Sequence, residues 1–324
     1  MLDRRGRDIH YLRISVTDRC NLRCRYCMPE RGNGRLPRRE MLRFEQIARV
    51  TGLMAGLGID RVRLSGGEPL VREGLERLVG MLRGIEGIRT LALTTNGVLL
   101  AGQLPALRAA GLDEVNISLD TLDRAQYAEI TRRDDLPRAL AGLRAAVETP
   151  GLAVKVNCVP LGENEEQLVP LAALARDGDL SVRFIELMPL GIGASLTRRT
   201  EQQVLERLEA AFGPAQPAGT DKRAGPARYV TFPGFRGKVG LISAVSRPFC
   251  DGCNRVRLTA AGFLKTCLQY DTGVDLRPLL DAGAEDDAVL TAIRSAVRDK
   301  PQGHHFGEPA VAGDEWRNMN EIGG

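Results

Sequence analysis

The sequence predicts an α/β fold, an incomplete (β/α)6 TIM-like barrel over residues 1–227 followed by a smaller C-terminal α+β domain over 228–324. Three observations carry this. Short β-branched runs alternate with amphipathic helical runs six times, several strands place polar residues at alternate positions, and two sets of three cysteines punctuate the two regions. Alternation of this kind means parallel strands joined by right-handed crossovers, and six units fall short of the eight that close a full barrel.

Strands are expected near 11–16, 60–65, 89–95, 113–118, 152–159 and 180–187, each a short run rich in Val, Ile, Leu or Thr. Helices are expected near 44–57, 73–84, 101–110, 134–148, 165–176 and 200–212; acidic Glu45 opens the first and Gly111 ends the third. Beyond residue 228, short strands near 228–232, 238–243 and 255–258 precede a helix at 284–298. That helix starts acidic, at Glu285, Asp286 and Asp287, and ends basic, at Arg298 and Lys300, as the helix dipole favours. Val289, Ile293 and Val297 stripe the face that packs inward.

Strand parity points to a polar interior. Arg13 and Ser15, Arg63 and Ser65, Thr94 and Asn96, Asn116 and Ser118, and Lys155 and Asn157 each share one face of their strand, opposite Val, Ile or Leu. The outer face of such a sheet is covered by helices and must be apolar, so the polar set faces the lumen, where a closed barrel would pack aliphatic side chains. Leaving that many polar groups unpartnered would cost on the order of 1–3 kcal/mol each, so a polar ligand or water is expected there. The sixth strand departs from the pattern, because Arg183 shares its face with Ile185 and Leu187.

The composition of 324 residues, 43% hydrophobic and 27% charged, is that of a soluble globular protein. A net charge of +4, with arginines interleaved among acids, argues against a nucleic-acid partner. The N-terminus lacks the apolar core of a signal peptide and no run approaches the length of a membrane span, so a cytoplasmic, reducing location without membrane association is expected. There, clustered cysteines serve as metal ligands or catalytic groups more often than as disulfides.

Cys20, Cys24 and Cys27 stand in the run CNLRCRYC, immediately after the first strand, where sites of this architecture form. A cubane iron-sulfur cluster has four irons, each wanting a thiolate, so three local thiolates leave one iron open for a small molecule. Cys250, Cys253 and Cys267 make a second set with no fourth cysteine or histidine nearby in sequence. Zinc competes with iron-sulfur at both sets, less well at the first, and the second set by itself leaves the choice open. Cys158, in VKVNCVP, reads as a buried small hydrophobe. His304 and His305, in QGHHF, read as a polar loop, and the final MNEIGG as a frayed end. After the second strand, Gly66-Gly67-Glu68-Pro69 combines two glycines that let backbone approach a ligand with a carboxylate suited to an amino group.

The CxxxCxxC triplet with Tyr26 before its last cysteine, followed by GGEP, resembles the radical S-adenosylmethionine superfamily. Leu12-Arg13-Ile14-Ser15, the run Cys253-Asn254-Arg255-Val256-Arg257, Cys267 after its spacer and the terminal Gly323-Gly324 extend the resemblance over nearly the whole chain. They are similar to the GTP 3',8-cyclase family of molybdenum cofactor biosynthesis. The resemblance implies two 4Fe-4S clusters, on Cys20, Cys24 and Cys27 and on Cys250, Cys253 and Cys267, and S-adenosylmethionine as second cofactor. It implies S-adenosylmethionine contacts at Tyr26, Gly67, Glu68, Ser118 and Met188, and GTP contacts at Arg13, Arg63, Thr94, Lys155, Arg255, Val256 and Arg257. It further implies that the second cluster binds the guanine base and that the tail, Gly323 and Gly324, reaches into the site. The implied enzyme is a lyase: a 5'-deoxyadenosyl radical takes hydrogen from C3' of GTP, the carbon radical attacks C8, and reduction gives (8S)-3',8-cyclo-7,8-dihydroguanosine 5'-triphosphate. Cyclic pyranopterin monophosphate synthase would receive that product. The sequence leaves open monomer or homodimer and the electron donor. Three other readings stand beside this one: another radical enzyme acting on peptide or RNA, a zinc-stabilised binding module without catalysis, and a plain electron-transfer protein, against which the polar lumen argues.

Overall fold

A computed structural model describes residues 1–324 except 33, 35, 220–224, 310 and 324. The first half alternates strand and helix: β1 (Tyr11–Ser15), α1 (Phe44–Gly56), β2 (Arg61–Ser65), α2 (Leu75–Arg83), β3 (Thr90–Thr95), α3 (Leu100–Ala109) and β4 (Glu114–Ser118). Then come α4 (Arg124–Thr131), α5 (Leu136–Val147), β5 (Ala153–Cys158), α6 (Leu168–Asp177), β6 (Ser181–Ile185) and α7 (Glu201–Phe212). The remainder holds β7 (Gln216–Pro217), β8 (Arg228–Thr231), β9 (Lys238–Ile242), β10 (Arg255–Leu258), β11 (Phe263–Lys265) and β12 (Gly273–Asp275). It ends with α8 (Arg277–Asp281), α9 (Asp286–Arg298) and α10 (Met319–Ile322).

All six expected barrel strands and their helices are present, the strands each slightly shorter than their sequence pattern. Helix α4 was not anticipated. Its eight residues are too few for a clear periodic stripe; it starts where the Asp123 carboxylate accepts the Gln126 N–H at 2.7 Å and stops at Arg132, whose left-handed φ of 55° breaks the helix. Gly111, at φ 103°, ends the turn after α3 as its position suggested.

One twelve-stranded sheet runs in the order β12-β11-β10-β1-β2-β3-β4-β5-β6-β9-β8-β7. The barrel strands β1–β6 are parallel and in sequence order. The C-terminal strands join both of its edges, β10 parallel to β1 and β9 parallel to β6, with antiparallel β11–β12 and β8–β7 beyond them. The chain between β9 and β10, which carries Cys250 and Cys253, therefore passes from one edge of the barrel to the other.

The core lies between this sheet and its helices. Ile14, Val62, Leu64, Val115, Ile117 and Val156 are 1% exposed or less and pack with the buried faces of α1, α2, α3 and α5. At roughly 25 cal/mol per Å² of apolar surface removed from water, each such side chain contributes about 1.5–3 kcal/mol. Val289, Ile293 and Val297 of α9 join the same cluster. None of the described helices is long and apolar enough to cross a membrane.

Candidate active site

Register determines how the polar face is arranged. Parallel pairing sets Arg257 of β10, Arg13 of β1 and Arg63 of β2 abreast, on strands about 4.8 Å apart. On the far side, Ser118, Asn157, Arg183 and Gly240 stand abreast across β4, β5, β6 and β9. A single cavity opens over this face. Eight of its lining residues are Lys or Arg (Arg13, Arg61, Arg63, Lys155, Arg183, Arg255, Arg257 and Lys300) and two are acidic, Asp120 and Glu186.

On the sixth strand Arg183, Ile185 and Leu187 share a face, as their parity indicated, and that face is the inner one. Arg183 does point inward: its Nε donates to Asn157 Oδ1 at 2.9 Å and its Nη2 donates to Asn116, while Ile185 and Leu187 form apolar wall beside it. Gly240 makes room, since a Cβ there would come within 2.8 Å of Arg183 Cγ. Arg61 and Arg183 are thus lining cations beyond the expected set.

The counter-charge below them is Glu114, at the start of β4, which sequence reasoning missed. Its carboxylate takes Arg63 Nη2 at 3.0 Å and Lys155 Nζ at 2.7 Å. Burial would raise its pKa, but Arg63 and Lys155 overcome that and hold it near 2. One carboxylate cannot balance the group. Burial first, then Arg257, holds the Arg13 pKa well below the usual arginine range; burial and Arg255 bring Arg257 down to about 10; burial brings Lys155 to about 8 despite Glu114. Guanidinium groups stay protonated in proteins, so crowded like charges of this kind form a site for a multiply charged anion.

All six expected cysteines line this one cavity and all are unpaired. Burial pushes the Cys20 thiol up to about 11 and Cys27 to about 12, and a coordinated cation would turn such groups into thiolates. Cys253 differs: burial raises it, but Lys300 and Arg255 bring it to about 7. N–H groups already aim at the sulfurs. Leu22 N–H reaches Cys20 Sγ at 3.4 Å, and backbone N–H groups of Asn320, His304 and Arg255 point to Cys27, Cys250 and Cys253. Among the described residues no three of His, Cys, Asp and Glu converge as ligands of one metal ion.

The first cysteine loop is gripped from two sides. Gly67 N–H donates to Thr17 O at 2.8 Å and Glu68 N–H to Arg19 O at 2.7 Å, an approach so close that a Cβ on Gly66 or Gly67 would lie 2.4 Å from those same two carbonyls. The glycine pair therefore serves the cysteine loop as much as any ligand. From the other side, the last turn of α4 accepts Arg23 N–H on Thr131 O and Arg25 N–H on Ile130 O, both at 2.9 Å.

Of the expected S-adenosylmethionine contacts, Tyr26, Gly67, Ser118 and Met188 line the cavity; of the expected GTP contacts, Arg13, Arg63, Thr94, Lys155, Arg255 and Arg257 do. Two candidates do not. Glu68 is fully buried, its carboxylate accepting Thr95 Oγ1 at 2.7 Å, Asn96 N–H at 2.7 Å and Leu70 N–H at 3.0 Å, so it ties the GGEP turn to the end of β3 rather than facing an amino group. Burial raises it to about 7 in spite of those three donors. Val256 alternates to the opposite face between Arg255 and Arg257 and is buried in the core. Asp120, just after β4, was missed: it lines the cavity and accepts the Tyr26 hydroxyl at 2.7 Å. Cys158 is fully buried as expected, and His304 lines the cavity while His305 bonds Tyr270 and Asp314 at 3.0 Å.

The tail is ordered into the site. Asn320 Nδ2 donates to Asp18 O at 3.2 Å, Met319 lines the cavity, and Arg257 Nη1 donates to Gly323 O at 2.8 Å. Gly324 lies outside the described residues.

The sequence profile of the Radical SAM superfamily matches residues 14–175, and that of Molybdenum Cofactor Synthesis C matches residues 180–306. GTP 3',8-cyclases of Pelotomaculum thermopropionicum and Heliobacterium modesticaldum are each 45% identical over all of this chain and all of their own. The chain belongs to the radical S-adenosylmethionine superfamily and, within it, to the GTP 3',8-cyclase family. Molybdenum cofactor biosynthesis protein 1 of Bos taurus is 41% identical over 94% of this chain and 48% of its own length. A solved structure of Streptococcus suis SuiB bound to S-adenosylmethionine, 16% identical, superposes with a TM-score of 0.58 over 90% of this chain and 68% of its own. That likeness concerns the fold.

Proposed function

We propose that this protein is a lyase that converts GTP to (8S)-3',8-cyclo-7,8-dihydroguanosine 5'-triphosphate, the opening step of molybdenum cofactor biosynthesis. The observation that carries the reading is one chamber faced by both cysteine triplets and by eight cations. An enzyme uniting a radical source with a nucleoside triphosphate needs that arrangement, and the relatives that match end to end are named for that reaction.

Cys20, Cys24 and Cys27 would hold one 4Fe-4S cluster and Cys250, Cys253 and Cys267 a second, each lacking a fourth thiolate. When bound, the first cluster with S-adenosylmethionine supplies a 5'-deoxyadenosyl radical. Tyr26, Gly67, Ser118 and Met188 seat S-adenosylmethionine, with Asp120 holding the Tyr26 ring. Arg13, Arg63, Lys155 and Arg257, joined by Arg61 and Arg183, hold the triphosphate. Charge-assisted hydrogen bonds to it are worth roughly 1.5–3 kcal/mol each. Cations spread over five strands leave the ribose little freedom, so C3' is presented in one pose. The tail adds Met319 to the chamber wall and holds Arg257 through Gly323 O.

The division at residue 227 then separates the first triplet, on the barrel, from the second, which residues 228–324 bring to the base, while cations from both parts meet the triphosphate. We place the enzyme in the cytoplasm as a monomer or homodimer, passing product to cyclic pyranopterin monophosphate synthase.

Anaerobic incubation of the reconstituted, reduced protein with S-adenosylmethionine and GTP tests the reading. GTP-dependent 5'-deoxyadenosine with about eight irons per chain is the expected result. Zinc without iron, or cleavage of S-adenosylmethionine indifferent to GTP, would refute it.

A further inference from the structure

In a chamber of cations, one carboxylate oxygen is left over. Asp120 has both oxygens engaged, Oδ2 by the Tyr26 hydroxyl at 2.7 Å and Oδ1 by Val159 N–H at 2.8 Å. Glu186 is 4% exposed and lines the cavity. Its Oε2 accepts Val245 N–H and Ser246 N–H, each at 2.8 Å, and the Ser246 hydroxyl at 3.1 Å. No described residue donates to Oε1, and that atom is not sealed from the cavity.

The position of this oxygen says what it faces. Glu186 follows β6 directly and its N–H donates to Ile242 O at 2.9 Å, at the end of β9, where the chain sets off toward Cys250. His304, whose backbone N–H points at Cys250 Sγ, lies within reach of the Glu186 charge. Glu186 thus stands at the C-terminal triplet's end of the chamber, the end to which the base is assigned.

A buried acceptor in a chamber built for anions calls for a donor on the ligand. Phosphates offer none. Guanine carries an amine at C2, which adenine and hypoxanthine lack. We propose that Glu186 is a specificity-determining residue whose Oε1 accepts a hydrogen bond from the exocyclic 2-amino group of the substrate's guanine. The proposal rests on the GTP reading above. A hydrogen bond to a charged acceptor is worth roughly a 10- to 100-fold difference in affinity, and a site built around it discriminates against the base that lacks the donor.

The test is equilibrium binding by anaerobic calorimetry to the reconstituted protein, with GTP, inosine triphosphate and S-adenosylmethionine as separate probes. Inosine triphosphate keeps the 6-oxo group and N1–H and lacks only the 2-amine. The wild type is expected to bind GTP roughly 10- to 100-fold more tightly than inosine triphosphate. In Glu186→Gln the amide oxygen keeps the bonds to Val245 and Ser246 while an NH2 replaces the open oxygen. That variant is expected to bind inosine triphosphate as the wild type does, to lose the preference for GTP, and to keep its iron content and S-adenosylmethionine affinity. Equal binding of the two nucleotides by the wild type would overturn the proposal without any variant. So would a Gln variant that weakens both nucleotides alike, or one that weakens S-adenosylmethionine instead. A wild type that binds neither nucleotide would refute the GTP reading itself, and the proposal with it.

Discussion

Arg257 Nη1 donates a 2.8 Å hydrogen bond to the carbonyl of Gly323, joining the cation row of the sheet to the second-last residue of the chain. The contact requires glycine. Gly323 sits at φ 80°, and a Cβ there would come within 2.9 Å of Ser15 Cβ on β1. Gly323→Ala is therefore expected to displace the tail and lower the yield of cyclised product at least about tenfold, equivalent to about 1.4 kcal/mol in the barrier, with iron content unchanged. Chromatographic product assay beside iron analysis checks it, and a yield equal to wild type would show that the tail is a bystander.

Gly67 offers a separable lesion. Because an added Cβ would meet Arg19 O at 2.4 Å, Gly67→Ala is expected to push the first cysteine loop out of place. Reconstituted iron should fall from about eight to about four per chain, the second triplet keeping its share. Loss from both sites, or from neither, would contradict the separate roles of the two loops.

Glu114 balances cations that the substrate also meets. Glu114→Gln removes one partner of a largely buried group and is expected to destabilise the ligand-free protein by about 3 kcal/mol, since uncompensated Arg63 and Lys155 remain. Calorimetry with and without GTP is the check: the triphosphate should recover more melting temperature in the variant than in the wild type. A uniform loss would mean that Glu114 and the phosphates do not share the same cations.

The same carboxylate gives a pH signature. Its pKa is lowered from 4.5 to about 2, so the folded state binds fewer protons than the unfolded state between those values. Its stabilisation is complete above pH 4.5 and is lost as pH falls toward 2. The wild type should lose stability across that window more steeply than Glu114→Gln; parallel curves would assign the charge pairing no weight.

Arg183→Ala and Arg257→Ala are each expected to weaken GTP binding roughly 10- to 100-fold while sparing iron content. Fluorescence or calorimetric titration decides it. Because Arg183 also bonds Asn116 and Asn157, a control melting curve separates binding from folding.

Much of this site was readable before any coordinates. Period-2 alternation placed Arg13, Arg63, Thr94, Ser118, Lys155 and Asn157 on the inner face, and the cavity is lined by all of them. The cysteine spacing identified both triplets. Alternation left the inner face unassigned where that face is itself mixed, at Arg183 beside Ile185 and Leu187, because a strand lining both a polar chamber and its apolar wall loses the polarity contrast. Glu68 and Val256 were drawn in by their neighbours in a motif, yet a turn folds one carboxylate into the core and strand parity sends the other side chain outward.

The sequence by itself determined the six barrel strands, most of the inward cations and the two cysteine triplets, because those follow from local periodicity and spacing. Only the tertiary structure decided that β9 and β10 extend opposite edges of one sheet, and so that triplets more than 200 residues apart face a common chamber. Strand partners across a sheet are chosen by long-range hydrogen bonding and packing, which leave no periodic trace in either strand. For the same reason Glu114, Asp120 and Glu186 stayed hidden: an acid is marked as functional by the charges and donors that surround it, and those come from elsewhere in the chain.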